Sequence, residues 1–468
     1  MKIIFNSRKY LSNKKYNIFI LTKNNKNILF SKLLIFIFFI ILLNNNINYK
    51  NYKSNKLLYS ERWIVMNAYN QPSLSILDLL NNLNSWKIVI IGNIKTIDKK
   101  WKLLSNTNNI IYLSLREQMK LGYKTSKYLN INSYARKNIG YLFAIQHGAK
   151  EIYEIDEDLI IPNLKNIKNN IKFNNTKICF GLNKHLLMIN PYSHFGQKSL
   201  WPRGFKLKDI GKEYYNKFYV INSSQFTLKP LIFQGLINGI PDVDTIFLQT
   251  RIHTNNIINY TFSDNYPLLY LPGNYIPINS KNTKYLYDIF PFITLPTTIN
   301  EKLSDILRGY ILQRFSWEYN GAVIYYSSNI SRNKSIYLNY SKFIEEKNLF
   351  YKLDNFFNIL NKKFNSKNSN PKKLLIYLIK NLIKEGFLKK YDLNIYKAFL
   401  EDLSNFGYIY STLLTKEIKY NYYNYKKLLK KYSKYILYLQ SNEKYIIKQK
   451  NRNKNIIMLL NHYFINKK

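Results

Sequence analysis

Apolar and polar positions divide this 468-residue chain into stretches of different period. Residues 1–27 are polar and basic. A run from Ile28 to Leu43 follows, apolar apart from Ser31 and Lys32 and unbroken from Leu33 to Leu43. That unbroken part is shorter than the ~20 residues a full membrane span prefers, but Lys32 could snorkel and lengthen it. No small-residue cleavage site follows, and positive charge precedes the run, which predicts an uncleaved signal anchor with its basic side in the cytosol. A cleaved signal peptide or a buried strand is the alternative. Residues 44–60 form an Asn/Lys/Tyr-rich stem. Folded sequence begins with a strand at Arg62–Asn67. Pro72 then sits where the first turn of a helix tolerates it, ahead of Leu74–Leu80. Trp86–Gly92 is a strand of buried type running into a glycine turn, and Ile110–Leu115 is a third strand. Strands alternating with helices predict an α/β fold, a largely parallel sheet with helices on both faces. In such sheets ligands bind beyond the carboxyl ends of the strands.

The segment Asn132–Gly148 has the pattern of one helix, capped by Asn132 or Ser133, ended by Gly148, and with Ile139, Leu142, Phe143 and Ile145 on its apolar face. Arg136 and Lys137 fall in its first turn, where cations oppose the helix dipole. An anion would resolve the conflict: exposed amides, a guanidinium and an ammonium can jointly hold phosphate oxygens. Two exposed basic residues are the simpler alternative. His147, near the helix end, reads as a dipole-neutralising or surface histidine and not as a catalyst. The next strand, Glu151–Asp156, runs into Asp156-Glu157-Asp158. Adjacent carboxylates repel one another, and hard oxygen ligands suit Mg²⁺ or Mn²⁺, so the triplet is either a divalent-metal site that grips a diphosphate or a solvated acidic turn.

Further on, Trp201-Pro202-Arg203-Gly204 sets a planar cation on a stiff bend, to bind an acid or phosphate or to pair with a structural carboxylate. Pro241-Asp242-Val243-Asp244 is a second acidic turn, able to add a metal ligand or to accept from a sugar hydroxyl. Asp305 and Arg308 share a helix face and can pair with each other; unpaired, Asp305 would make a general base. From about Ser331 the chain turns to Lys/Asn/Tyr-rich helical periodicity, with a linker around Pro371.

Composition changes this picture little. The formal charge of +44 comes from lysines scattered among asparagines, not gathered on one stripe, and no nucleic-acid-binding signature accompanies it, so nucleic acid is excluded as the partner. Cys179 is the single cysteine, so neither an internal disulfide nor a cysteine metal site can form. The Asn-x-Ser/Thr sequons at Asn174, Asn222, Asn259, Asn329, Asn333 and Asn339 permit a luminal location.

Several blocks, in order, resemble the STELLO / DUF288 family of Golgi glycosyltransferase-like proteins. They are Arg62–Val65, Asn132–Leu142, Ala144–Ala149, Asp156–Asp158, Trp201–Phe205, Pro241–Asp244 and Asp305 through Gln313-Arg314. The resemblance implies a single-pass type II Golgi membrane protein: cytosolic tail 1–27, anchor 28–43, stem 44–60, a luminal GT-A-like, Rossmann-related mixed-sheet domain at 61–330 and a helical C-terminal region at 331–468. It also implies a nucleotide-sugar donor and a glycan acceptor. Asp156 and Asp158 would hold Mn²⁺ or Mg²⁺, Arg136, Lys137, Asn138 and Arg203 would contact the diphosphate, and Asp242, Asp244 or Asp305 would face the sugar or activate the acceptor hydroxyl. Two positions depart from the family pattern: Glu157 replaces an aspartate, and Phe247-Leu248-Gln249-Thr250 lacks an arginine. A non-catalytic scaffold for other Golgi enzymes is the alternative function, since fold resemblance alone does not establish transfer.

Overall fold

The computed structural model describes residues 58–413 except 74–75, 78–84, 106–108, 161–175, 182–187, 223–227, 253–258, 334–340 and 363–369. The expected tail, anchor and stem, most of the helix after Pro72, and the chain beyond residue 413 lie outside the described residues. Among the described residues no helix is long and apolar enough to cross a membrane.

From residue 59 onward the described residues belong to one compact unit built on a ten-stranded sheet. In chain order the strands are β1 (Arg62–Ala68), β2 (Lys87–Gly92), β3 (Ile110–Leu113), β4 (Glu151–Asp156), β5 (Lys177–Gly181), β6 (Phe218–Asn222), β7 (Lys229–Gly239), β8 (Leu268–Tyr270), β9 (Asn282–Leu286) and β10 (Gly321–Arg332). Across the sheet they run β3-β2-β1-β4-β9-β7-β10-β8-β5-β6. The first four are mutually parallel, as their alternation with helices predicts. Beyond β4 the sheet is mixed: β9 runs antiparallel to both β4 and β7, and β10 is parallel to β7.

Both faces of the parallel part are buried, which is why β1 and β2 are continuous apolar runs. Trp63, Val65, Val89 and Ile91 join one core, and Ile64, Met66, Ile88 and Ile90 join another. Helix α1 (Asp98–Leu104) adds Trp101 to the second core. Helix α3 (Lys137–Gln146) lies on the first, and its Gly140 lets the helix close on the sheet; a Cβ there would come within 2.6 Å of Val65 Cγ1. The third strand, expected over Ile110–Leu115, stops at Leu113, because Ser114 forms a capping box with Glu117 and opens helix α2 (Leu115–Lys120). The expected helix from Asn132 opens with a tight 3₁₀ turn, Tyr134–Arg136, whose cap is Ser133. Gly148 follows its end with φ of 91°.

After β7 come α4 (Thr245–Ile252), α5 (Glu301–Ser316), α6 (Ser341–Leu360), α7 (Pro371–Lys384) and α8 (Lys390–Asn405). The compositional change at 331 coincides with the last residues of β10, and apolar residues of α6, α7 and α8 enter the same core as α5. Their carboxylates also reach back. Glu346 of α6 accepts from the Thr245 amide (2.8 Å), Asp392 of α8 from the Thr297 amide (2.8 Å), and Asp402 of α8 from the amides of Lys124 and Thr125 (2.9 Å each). Each clamp satisfies loop N–H groups that burial would otherwise strand. Asp402→Ala is expected to lower the free energy of unfolding by about 2 kcal/mol, with Asp402→Asn losing less, as read by urea denaturation. A loss below about 0.5 kcal/mol would mean that water replaces the carboxylate without penalty.

Candidate functional site

The carboxyl ends of β1, β2, β4, β7 and β10 and the amino end of β9 share one edge of the sheet. Chain order reverses at β1, which has β2 on one side and β4 on the other, so the sheet edge above β1 and β4 is a topological switch point, where open α/β sheets place their ligand crevice. Asp156 ends β4 there, in register with Asn67 of β1. Most of the site residues read from the sequence converge on this edge.

Lys137 organises the convergence. Its side chain is fully buried, and its ammonium donates to Asp156 Oδ1 (2.6 Å), the Tyr134 hydroxyl (2.9 Å) and the Ser280 carbonyl (3.2 Å). Glu154, on the same face of β4 as Asp156, stands 3.3 Å from the same nitrogen. Glu154 is itself fully buried and accepts from the hydroxyls of Tyr141 (2.6 Å) and Tyr285 (2.8 Å) and from Arg308 (3.0 Å). For Lys137 an anion does resolve the conflict with the helix dipole, but the chain supplies it. The expected phosphate role of Lys137 meets an ammonium whose donors the protein already takes up.

Arg136 is also buried. It donates to Gln118 Oε1 (2.7 Å) and to the carbonyls of Leu129 and Asn130 (3.3 Å each), while its second terminal nitrogen has no partner among the described residues. Burial without a carboxylate partner pulls its pKa down to about 10. Asn138 holds the Leu295 backbone through both its amide groups, at 2.8 and 2.9 Å.

Arg203 lies between two carboxylates. It binds Asp305 at 2.8 and 2.9 Å and Asp242 at 3.0 and 3.2 Å, and one nitrogen also donates to the Lys302 carbonyl. The structural-carboxylate alternative for this turn is the one the geometry carries. Asp305 therefore pairs with Arg203, not with Arg308, which faces Glu154. Burial alone would raise the Asp242 carboxyl, but Arg203 and Lys281 outweigh it and hold it below the ordinary range. Asp244 caps α4 by accepting from the Phe247 amide (2.9 Å), and burial, with Glu346 nearby, raises its carboxyl.

Ser280 joins the two halves. Its hydroxyl bonds the Tyr134 hydroxyl, which stands 3.1 Å from Asp156, and its amide donates to Asp305 (3.3 Å). A continuous polar chain thus runs from Asp156 through Tyr134, Ser280, Asp305, Arg203 and Asp242 to Lys281. Lys137 joins this chain at Asp156 and brings Glu154 and Arg308 with it, and in the network so formed the cations of Lys137, Arg203, Arg308 and Lys281 match the carboxylates of Asp156, Glu154, Asp305 and Asp242 one for one.

The other acids of the triplet diverge. Glu157 turns back to the segment after β1 and accepts from the amides of Tyr69 (2.7 Å) and Asn70 (3.0 Å) and from the Asn70 side chain (2.7 Å). Asp158 pairs with Arg332 at the end of β10 (2.9 Å). Among the described residues no group of three or more His, Cys, Asp or Glu side chains is gathered for a metal. His147 is buried, stacks on Phe143 with ring centroids 4.1 Å apart, and bonds the Phe143 carbonyl; it belongs to the core, not to the surface.

Sequence reasoning missed Glu154, Tyr134, Tyr141, Tyr285, Ser280 and Lys281. Glu154 left a trace: an acid two residues before Asp156, on a strand face that is otherwise buried.

The chain is similar to "Probable glycosyltransferase STELLO1" of Arabidopsis thaliana, 34% identical over 373 residues, and to "Probable glycosyltransferase STELLO2" of the same plant, 31% identical over 368 residues. The chain belongs to the STELLO family. Each alignment covers 77% of this chain and 46% of the relative, so the chain spans about half the length of the STELLO proteins it matches. No family model matches it.

The Glu157 carboxyl sits above its ordinary value of 4.5, first because burial disfavours its charge; the Tyr69 and Asn70 amides oppose this without cancelling it. The folded chain thus holds this proton more firmly than the unfolded one. The group's contribution is full below 4.5 and declines as pH rises through the raised folded value. Glu157→Gln is expected to flatten the dependence of unfolding free energy on pH just above 4.5. Denaturant titrations across that window with an unchanged slope would contradict the assignment.

Proposed function

We propose that this STELLO-family chain is a glycosyltransferase of the Golgi lumen, anchored by its N-terminal apolar run, that transfers sugar from a nucleotide-sugar donor to a glycan acceptor with Mn²⁺ or Mg²⁺. The names of its relatives support the reaction class. The observation that carries the reading is the placement of Asp156. It stands at the switch-point crevice, its side chain is 19% exposed, and Oδ1 is fixed by Lys137 and Tyr134 while no described residue bonds Oδ2.

The residues fit a divalent cation only in company with a diphosphate. The polar chain below Asp156 is already charge-matched, and Asp158 is neutralised by Arg332. A cation alone would add uncompensated charge at a half-buried site, whereas a cation carried with a diphosphate arrives with its own counter-charge. When bound, it would supply stabilisation of the charge that develops on the departing nucleotide. The chain's own part is to hold Asp156 in one orientation through Lys137 and Tyr134, and to keep the segment after β1 against β4 through Glu157.

Asp305 and Asp244 are poorly placed to take a proton from an acceptor. Both are buried, one held by Arg203 and the other capping α4. This observation favours a second reading, a luminal scaffold for other Golgi enzymes that keeps the fold without the transfer.

Calorimetry with UDP- and GDP-sugars decides between them. Wild type is expected to bind one of these donors in the presence of Mn²⁺ and to show no binding of Mn²⁺ by itself. Asp156→Ala is expected to lose tenfold or more of the donor affinity, about 1.4 kcal/mol. Equal donor binding by wild type and variant would reject the transferase reading.

A further inference from the structure

Which side chain receives the diphosphate follows from which cation at this edge still has donors to give, an inference that rests on the nucleotide-sugar reading. An ammonium has three N–H groups and a guanidinium five. Lys137 makes its three hydrogen bonds inside the protein. Arg203 is buried, with every nitrogen engaged. Arg308 is fully buried among Glu154 and two tyrosines, and the unpartnered nitrogen of Arg136 is closed off from solvent. Lys281 differs on both counts. Its side chain is 16% exposed, and among the described residues its ammonium has one partner, Asp242 at 2.8 Å.

Its position is equally specific. Ile155 of β4 pairs with Asn282 of β9, so one further step along this antiparallel ladder sets Lys281 opposite Asp156 at the crevice edge. The preceding residue, Ser280, ties that backbone to Tyr134 and Asp305. Asp242 orients Lys281 but does not depend on it, because Arg203 holds the same carboxylate through two nitrogens. Two further partly exposed cations are held elsewhere: Arg332 grips Asp158 with two nitrogens and stands on β10, with β9 and β7 between it and β4, and Lys302 donates to Thr245 (2.7 Å) and pairs with Glu346 (3.2 Å).

We infer that Lys281 is the phosphate-binding cation of this site, donating its two remaining N–H groups to the diphosphate of the nucleotide sugar across the crevice from Asp156. No bond to carbon or phosphorus is made or broken by it; it neutralises and orients the diphosphate.

The experiment labels lysines of the full-length wild-type protein with an amine-acetylating reagent, with and without UDP or GDP plus Mn²⁺, and reads each site by mass spectrometry. Lys284, on β9 three residues further on, is the internal reference, since its side chain is 14% exposed and pairs with Glu151 at the opposite end of β4 from Asp156. Lys281 acetylation is expected to fall several-fold with the diphosphate and to stay constant with uridine or guanosine, while Lys284 does not change. In parallel, Lys281→Gln is expected to weaken UDP or GDP binding tenfold or more and Lys281→Arg to keep most of it. Should Lys281→Gln not fold, the wild-type labelling decides alone. Diphosphate binding by calorimetry with Lys281 left unprotected would overturn this inference and spare the transferase reading. Failure of wild type to bind either diphosphate would overturn both.

Discussion

A buried ammonium cannot exist without carboxylates close to it, and in this chain that requirement fixes the place of everything else at the sheet edge. Lys137 opens α3 with its side chain wholly out of water, against a helix end that is already positive. Moving such a charge into the interior costs several kcal/mol unless partners surround it. Asp156 and Glu154, two residues apart on one face of β4, are those partners. The helix start is thereby held to the strand end, and Tyr134, one turn earlier, is brought against Asp156 and Ser280. Glu154 in turn needs more donors than Lys137 can give, which accounts for Arg308, Tyr141 and Tyr285 around it.

The same matching propagates across the crevice. Arg203 would be as costly to bury as Lys137, and Asp242, Asp305 and the Lys302 carbonyl together satisfy its whole guanidinium. Partners for these charges come from segments far apart in sequence: the turn at 201–204, the turn after β7, the loop before β9 and helix α5. Such a network contributes little net stability over an apolar core of equal volume, but removing one member strands another. Its effect here is geometric, since it sets a single arrangement of the loops above the sheet.

This explains how far the sequence was legible. The parallel half of the sheet reads directly from β1, β2, β3 and the helix before β4, because βαβ units place neighbouring strands close in sequence. The other half does not. β9 inserts between β4 and β7, and β8 between β10 and β5, pairings that no local period encodes. The conflict between Lys137 and the helix dipole called for an anion, and periodicity could not say that the anion lay on the next strand; Arg136 meets only neutral acceptors among the described residues. The triplet Asp156-Glu157-Asp158 looked like one site because its members are adjacent. A strand end followed by a turn points successive side chains different ways, so one acid faces α3, one hooks the segment after β1 and one meets Arg332. Lys281 carried no local signal, since its significance depends on the register of β9 against β4.

Charge matching also bears on what the crevice can accept. A preassembled network with equal numbers of cations and carboxylates attracts neither a bare metal ion nor a bare phosphate strongly, because each would leave one unit of charge uncompensated where the dielectric constant is low. A ligand that carries both signs meets no such penalty. Asp156 on β4 and Lys281 at the head of β9 are the two members of the network that reach solvent, one of each sign, on neighbouring strands and one ladder step past the last pair. A dipolar arrangement of this kind discriminates by the order of charges along the ligand, cation toward β4 and anion toward β9. That order is set by backbone register, so a one-residue slip of β9 would destroy it while leaving the composition of the site unchanged.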